Sequence, residues 1–166
     1  MRDLTRIKTS VGESSSAWKT KKSSLRVTKN WFLGVLASRI PWNIKYSLYK
    51  GMGIRLGKNV QIMPDVRMEI FFSELVSIGD NTIIGQEAFI SCHEFTVNEF
   101  KYGRVEIGKN VLIGARVFLL PGIKIGDNAI IAANTTVYLD VPANTLAYGS
   151  PLQFKKFKKR KSMEKK

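Results

Sequence analysis

The stretch IGKNVLIGARVFLLPGIKIGDNAIIAANTTVYLDVP, residues 107–142, decides the fold because it divides into sixes. The units are IGKNVL, IGARVF, LLPGIK, IGDNAI, IAANTT and VYLDVP. Each opens on an aliphatic residue: Ile107, Ile113, Leu119, Ile125, Ile131 and Val137. The fifth place takes only small or β-branched residues: Val111, Val117, Ile123, Ala129, Thr135 and Val141. A helical turn of about 3.6 residues would scatter positions one and seven around its axis, so this period excludes an α-helix. One short strand and one corner per six residues satisfies it. Stacking such units buries a continuous aliphatic column, as in solenoids.

The same frame runs upstream as LGKNVQ and IMPDVR from Leu56, and as IGDNTI, IGQEAF and ISCHEF from Ile78. Residues 68–77, MEIFFSELVS, interrupt the first block, and residues 96–106, TVNEFKYGRVE, interrupt the second. Gly79, Gly85, Gly108, Gly114, Gly122 and Gly126, with Asn or Asp at 59, 65, 80, 81, 110, 127, 128 and 140, supply corner residues that tolerate positive φ.

At 166 residues and 44% apolar composition the chain suits one domain with a real core. A single cysteine and a single histidine exclude an internal disulfide and a structural zinc site, so no metal is expected. No apolar run reaches the roughly 20 residues needed to span a bilayer, and MRDLTRIKTSVGESSS has no signal-peptide centre. A cytoplasmic setting is the expectation.

The formal charge of +14 is uneven. Residues 1–30 hold eight bases and two acids, residues 155–166 eight and one, and residues 31–154 eleven and ten. Residues 1–27 read as a flexible basic segment and 155–166 as a basic tail. Such tails are solvated or bind anionic partners, and an anionic membrane surface is one candidate. Nothing resembles a nucleic-acid motif.

Residues 28–53 form no sixes. Phe32, Leu33, Leu36 and Ile40 recur at helical spacing, and Pro41 separates this helix from a second over Trp42 to Tyr49. The pair reads as a helical cap over the open first coil. The alternative is a membrane-surface helix, since Trp31 and Phe32 lie among lysines.

The hexapeptides resemble those of the left-handed parallel β-helix acyltransferases, a family including galactoside, maltose and xenobiotic acetyltransferases. The resemblance covers residues 50–154 and is most specific over VEIGKNVLIGARVFLLPGIKIGDNAIIAANTTVYLDVPANTLAYGSP. It implies an all-β fold of triangular coils, about 18 residues each, with Ile107 stacked on Ile125 and Ile113 on Ile131. It also implies a homotrimer, acetyl-CoA as acyl donor in a cleft between neighbours, and a small-molecule or glycan acceptor.

Within FISCHEF, residues 89–95, stand the only cysteine and the only histidine. Deprotonating an attacking hydroxyl or amine calls for a base that is largely neutral near pH 7, which histidine is. The resemblance gives that role to a histidine on the rim of a coil before an external loop, and His93 occupies that place. Glu94 and Glu99 are the nearest carboxylates able to orient it. Neighbours on a strand face opposite ways, so Cys92 is expected in the core when His93 faces the cleft. Loop 96–106 is expected to project toward the acceptor.

For the donor, the resemblance points to Gly114, Ala115, Ala132 and Ala133. VPANTLAYGSP resembles the family's closing segment, but Leu152-Gln153 stands where that segment has Ala-Lys, leaving Lys155 and Lys156 as the basic contacts. The resulting reading is an acetyl-CoA O-acetyltransferase acting on a sugar or glycan precursor. An N-acetyltransferase of amino sugars uses the same base. A non-enzymatic trimeric scaffold is the rival from another class. The three-histidine zinc enzymes that share the fold are excluded by the single histidine.

Overall fold

In the computed structural model, which describes residues 2–40 and 43–157, a parallel β-helix occupies the chain from Arg55 onward. Before it come β1 (Thr5–Lys8), a 3-10 turn (Ser14–Thr20), α1 (Ser24–Arg39) and α2 (Asn43–Gly51). Its strands are β2 (Arg55–Leu56), β3 (Gln61–Ile62), β4 (Val76–Ile78), β5 (Ile83–Ile84) and β6 (Phe89–Ile90). The hairpin strands β7 (His93–Phe95) and β8 (Glu99–Tyr102) follow. The coils then resume with β9 (Val105–Ile107), β10 (Leu112–Ile113), β11 (Phe118–Leu119), β12 (Ile123–Ile125), β13 (Ile130–Ile131), β14 (Thr136–Val137) and β15 (Thr145–Tyr148), before β16 (Gln153–Lys156).

These strands stack into three faces. The first is β2, β4, β9 and β12; the second is β3, β5, β10, β13 and β15, with β16 antiparallel at its end; the third is β6, β11 and β14. Ile107 lies beside Ile125 and Ile113 beside Ile131, the expected register. Positions one and five point inward: Ile113, Leu119, Ile123, Ile131 and Val137 are completely buried. Each such side chain contributes roughly 1.5–3 kcal/mol by leaving water.

The corners divide their work in a way the sequence pattern blurs. Asn59, Asn81, Asn110, Asn128 and Asn144 all hold φ between 53° and 59°, and each of the first four donates its side-chain amide to the next asparagine in line. The ladder steps by 22, 29, 18 and 16 residues, so an uninterrupted coil takes 18 and the interruptions add four and eleven. Asp80, Asp127 and Asp140 instead accept the N–H of Lys58, Lys109 and Lys124. Among the six expected corner glycines only Gly122 has positive φ, at 77°. Gly79 and Gly85 serve close approach: a Cβ on either would stand 2.6 Å from the backbone of the next coil.

The N-terminal expectations need correction. Of the basic segment 1–27, the described residues 2–27 are not loose, because β1 pairs antiparallel with β8 and Ala17 and Ser14 are buried. Helix α1 begins at Ser24, where Ser23 caps it by accepting from the Arg26 N–H. The face it buries is Val27, Asn30 and Ala37, while Phe32 and Leu36 are exposed. Asn30 donates to the Ile70 carbonyl and to Ser73 Oγ, docking α1 on the first interruption. At the end of α2, Tyr49 and Met52 join Ile54 in the core beside the first coil. Pro41, the expected break, lies outside the described residues.

The second interruption also differs. Hairpin β7–β8 starts at His93, Val105 is already back in a coil, and Phe100 is fully buried with its ring 5.8 Å from Phe72. The loop folds onto its own coils. Likewise Lys155 and Lys156 belong to exposed β16, and the tail proper, 158–166, lies outside the described residues.

Candidate active site

The 68–77 interruption carries a charge into the core. Glu69 stands between Met68 and Ile70, and its side chain has no exposure to solvent. A buried carboxylate is costly unless its oxygens are satisfied, and here donors surround both. Oε1 accepts from the backbone N–H of Phe71 (2.7 Å) and Phe72 (3.3 Å). Oε2 accepts from the Cys92 N–H (2.6 Å) and lies 2.7 Å from His93 Nδ1.

An ionised carboxylate only accepts, so the contact places the proton of a neutral imidazole on Nδ1 and leaves Nε2 with its lone pair. Among the described residues nothing is bonded to Nε2. The ring is fixed further by Phe71 and Phe95, edge-on at 4.7 and 5.1 Å between centroids. Ser91 Oγ donates to the His93 carbonyl at 2.7 Å and pins the backbone. Alternation holds here: Cys92 is completely buried, and burial, with Glu69 close by, pushes its thiol well above its ordinary value. Such a thiol is not a nucleophile.

Neither carboxylate nominated from sequence reaches His93. Glu94 is turned to Arg2, which binds both its oxygens at 2.8 and 3.2 Å, and Glu99 pairs with Lys101 at 3.0 Å. Burial of Glu94 opposes its ionisation, yet Arg2 and Lys101 outweigh that and hold its carboxyl below the usual range. The carboxylate that does reach the ring lies 24 residues earlier. One sequence signal for it exists: an acid set among Met, Ile and two Phe in a stretch that interrupts a repeat.

His93 and Glu69 sit at one side of a cleft of about 760 Å³ between α1 and the third face. Trp31 and Val35 of α1, with Arg67 and Phe89 opposite, line it.

The residues expected at the donor lie beyond the hairpin, on the corners between the second and third faces. At the corner before β10 the third-position N–H, from Lys109, is capped by Asp127. At the next corner the equivalent residue is Ala115, and Ala133 stands where the capping Asp would be. Among the described residues the N–H groups of Ala115 and Ala133 have no partner, and both alanines are exposed. These corners therefore offer free donors beside small side chains. Gly114 is small for a different reason, since a Cβ there would lie 2.5 Å from the Ala133 nitrogen. Ala132 spends its N–H on the Ala147 carbonyl. Lys155 and Lys156, on β16, stand opposite Leu146 and Thr145 of β15, at the end of the second face.

A three-faced parallel β-helix built from six-residue units is the architecture expected of the hexapeptide-repeat transferases. Residues 104–138 match the family model described as bacterial transferase hexapeptide (six repeats). The chain is 36% identical over 147 residues to "Putative acetyltransferase YvoF" of Bacillus subtilis, covering 86% of each chain. Over 108 residues it is 35% identical to the galactoside O-acetyltransferase of Escherichia coli, covering 61% of this chain and 52% of that one. A Vibrio cholerae hexapeptide-repeat acetyltransferase solved with acetyl coenzyme A superposes with a TM-score of 0.65, at 23% identity, over 79% of this chain and 85% of that one. The chain belongs to the hexapeptide-repeat acetyltransferases, a family of left-handed β-helix enzymes.

Proposed function

We propose that the protein is an acetyl-CoA-dependent O-acetyltransferase acting on a hydroxyl of a sugar or glycan precursor, with His93 as general base. The observation that carries this is the Glu69–His93 contact of 2.7 Å on the wall of the cleft. Glu69 holds Nδ1–H and leaves Nε2 free to accept a proton. An acceptor hydroxyl lying in the cleft gives its proton to Nε2 as its oxygen attacks the thioester carbonyl. The imidazolium so formed is stabilised by Glu69 and returns the proton to sulfur as the carbon–sulfur bond breaks. The acetyl group passes directly to the acceptor, since the buried Cys92 cannot carry it.

Free N–H groups at Ala115 and Ala133 suit the amide carbonyls of the donor's pantetheine arm, and the small, exposed side chains there leave room beside them, with Gly114 and Ala132 adjoining. Lys155 and Lys156 are exposed and suit its phosphates. The half-exposed Trp31 face suits a sugar ring on the other side of His93. Relatives named as acting on a galactoside and as bound to acetyl coenzyme A support the same reading.

A homotrimer belongs to this proposal. Outward residues of the second and third faces are mostly apolar, among them Leu112 and the stacked pair Phe89 and Phe118, with Gln61 and Thr136 the polar exceptions, whereas the first face presents Glu106 and Lys124, ion-paired at 3.3 Å. Packing the two apolar faces against neighbours would enclose the cleft. The test is release of free CoA from acetyl-CoA across sugars, amino sugars and chloramphenicol-like drugs. Turnover of hydroxyl-bearing sugars supports the proposal, and release confined to amines contradicts it.

A further inference from the structure

The N-terminal segment lies over the hairpin that begins at His93. Four residues of β1 pair with β8, from Thr5 opposite Tyr102 to Lys8 opposite Glu99. The contact continues past the strand: Thr9 and Gly12 donate to the Asn98 and Val97 carbonyls, and Ser14 Oγ donates to the Thr96 carbonyl. Before the strand, the Asp3 N–H donates to Gly122 at 2.9 Å. The coils are shaped to receive it. A Cβ on Gly122 would stand 2.6 Å from the Asp3 carbonyl oxygen, and a Cβ on Gly103 would collide with that same atom.

Two side chains of this segment reach the surroundings of the histidine. Arg2 grips Glu94, the residue after His93, through its two terminal guanidinium nitrogens. Trp18 packs on Phe71 at 5.0 Å, and Phe71 in turn packs edge-on against the His93 ring at 4.7 Å. Phe71 also donates its N–H to Glu69, so one residue touches both members of the pair and is itself backed by Trp18.

We infer that residues 2–20 form a strap that positions His93, with Trp18 acting through Phe71 and Arg2 through Glu94. Neither touches the reacting atoms, so both are positioning residues. The segment contributes no strand to the three faces of the coil stack. Small displacements of a positioned base cost about ten- to a hundredfold in rate.

This rests on the reading of His93 as the base, and the test separates the two. Because the chain has one histidine, its imidazole gives a single set of nitrogen resonances in the full-length protein. In Trp18→Ala we expect the Nδ1–H tautomer signal to shift and broaden. We also expect kcat to fall about tenfold or more with KM for acetyl-CoA unchanged, and Trp18→Phe to restore both. Arg2→Ala is expected to do the same to a smaller extent. An unperturbed imidazole signal in both Trp18→Ala and Arg2→Ala overturns the inference. A wild-type protein that turns over no acceptor would instead overturn the proposed function, while the imidazole signal still reports on the strap.

Discussion

Glu69→Gln is the perturbation whose outcome the geometry specifies most fully. Every partner of the carboxylate is a donor: the N–H groups of Phe71, Phe72 and Cys92, and His93 Nδ1. Glutamine has the same shape but one of its two oxygens becomes an NH2. Placed toward the backbone of Phe71 and Phe72, that group faces two donors and leaves them unsatisfied. Placed toward Cys92 and His93, it opposes the Cys92 N–H and forces the imidazole to turn its lone pair to Nδ1, moving the proton to Nε2. The first arrangement sacrifices two hydrogen bonds to a charged acceptor and the second sacrifices one, worth about 1.5–3 kcal/mol each, so thermal or urea unfolding should report a loss of about 1.5–6 kcal/mol. The second arrangement also removes the base, and kcat should fall by about 100-fold or more. Free CoA release gives kcat, and imidazole nitrogen shifts give the tautomer. Wild-type kcat, stability and Nδ1–H tautomer in the Glu69→Gln variant would refute the account of the pair.

Ala133→Asp should cap the Ala115 N–H as Asp127 caps Lys109, and is expected to raise KM for acetyl-CoA severalfold without lowering the thermal midpoint; steady-state kinetics and a melting curve check both. Asn110→Ala loses two rungs of the ladder at a φ of 55° and should cost about 1–3 kcal/mol in denaturant unfolding, with Asn110→Gly less costly because glycine accepts that φ. Gly79→Ala should destabilise by about 1–3 kcal/mol by overpacking against the next coil, read in the same experiment. The lowered Glu94 pKa means that its stabilisation is present above the carboxyl's unfolded value and is lost as pH falls through the folded one. Acid unfolding of Arg2→Ala should therefore show a weaker pH dependence below about pH 4.5 than the wild type.

The β-helix is legible in the sequence because each coil repeats one local rule. An inward aliphatic at positions one and five fixes the register, and Ile107 on Ile125 follows from counting. His93 is legible as a residue just before a break in that rule. Glu69 is not, because its partner lies 24 residues away and its stretch is aperiodic; only the coil closure brings them together. The strap is hidden because its basic, polar composition matches solvated chain, whereas β1 gains its stability by pairing with an edge that the hairpin leaves open. Helix α1 misleads by spacing: Phe32 and Leu36 recur at helical intervals, yet the buried face carries Val27, Asn30 and Ala37, with Asn30 bonded to Ser73 and Gly34 set against Met52.

The central claim is that His93 Nε2 takes the acceptor's proton, and His93→Ala tests it most directly. With acetyl-CoA binding followed by calorimetry and turnover by CoA release, the account predicts unchanged donor affinity and a kcat lower by about 100- to 10,000-fold. Turnover within a few-fold of wild type would contradict it.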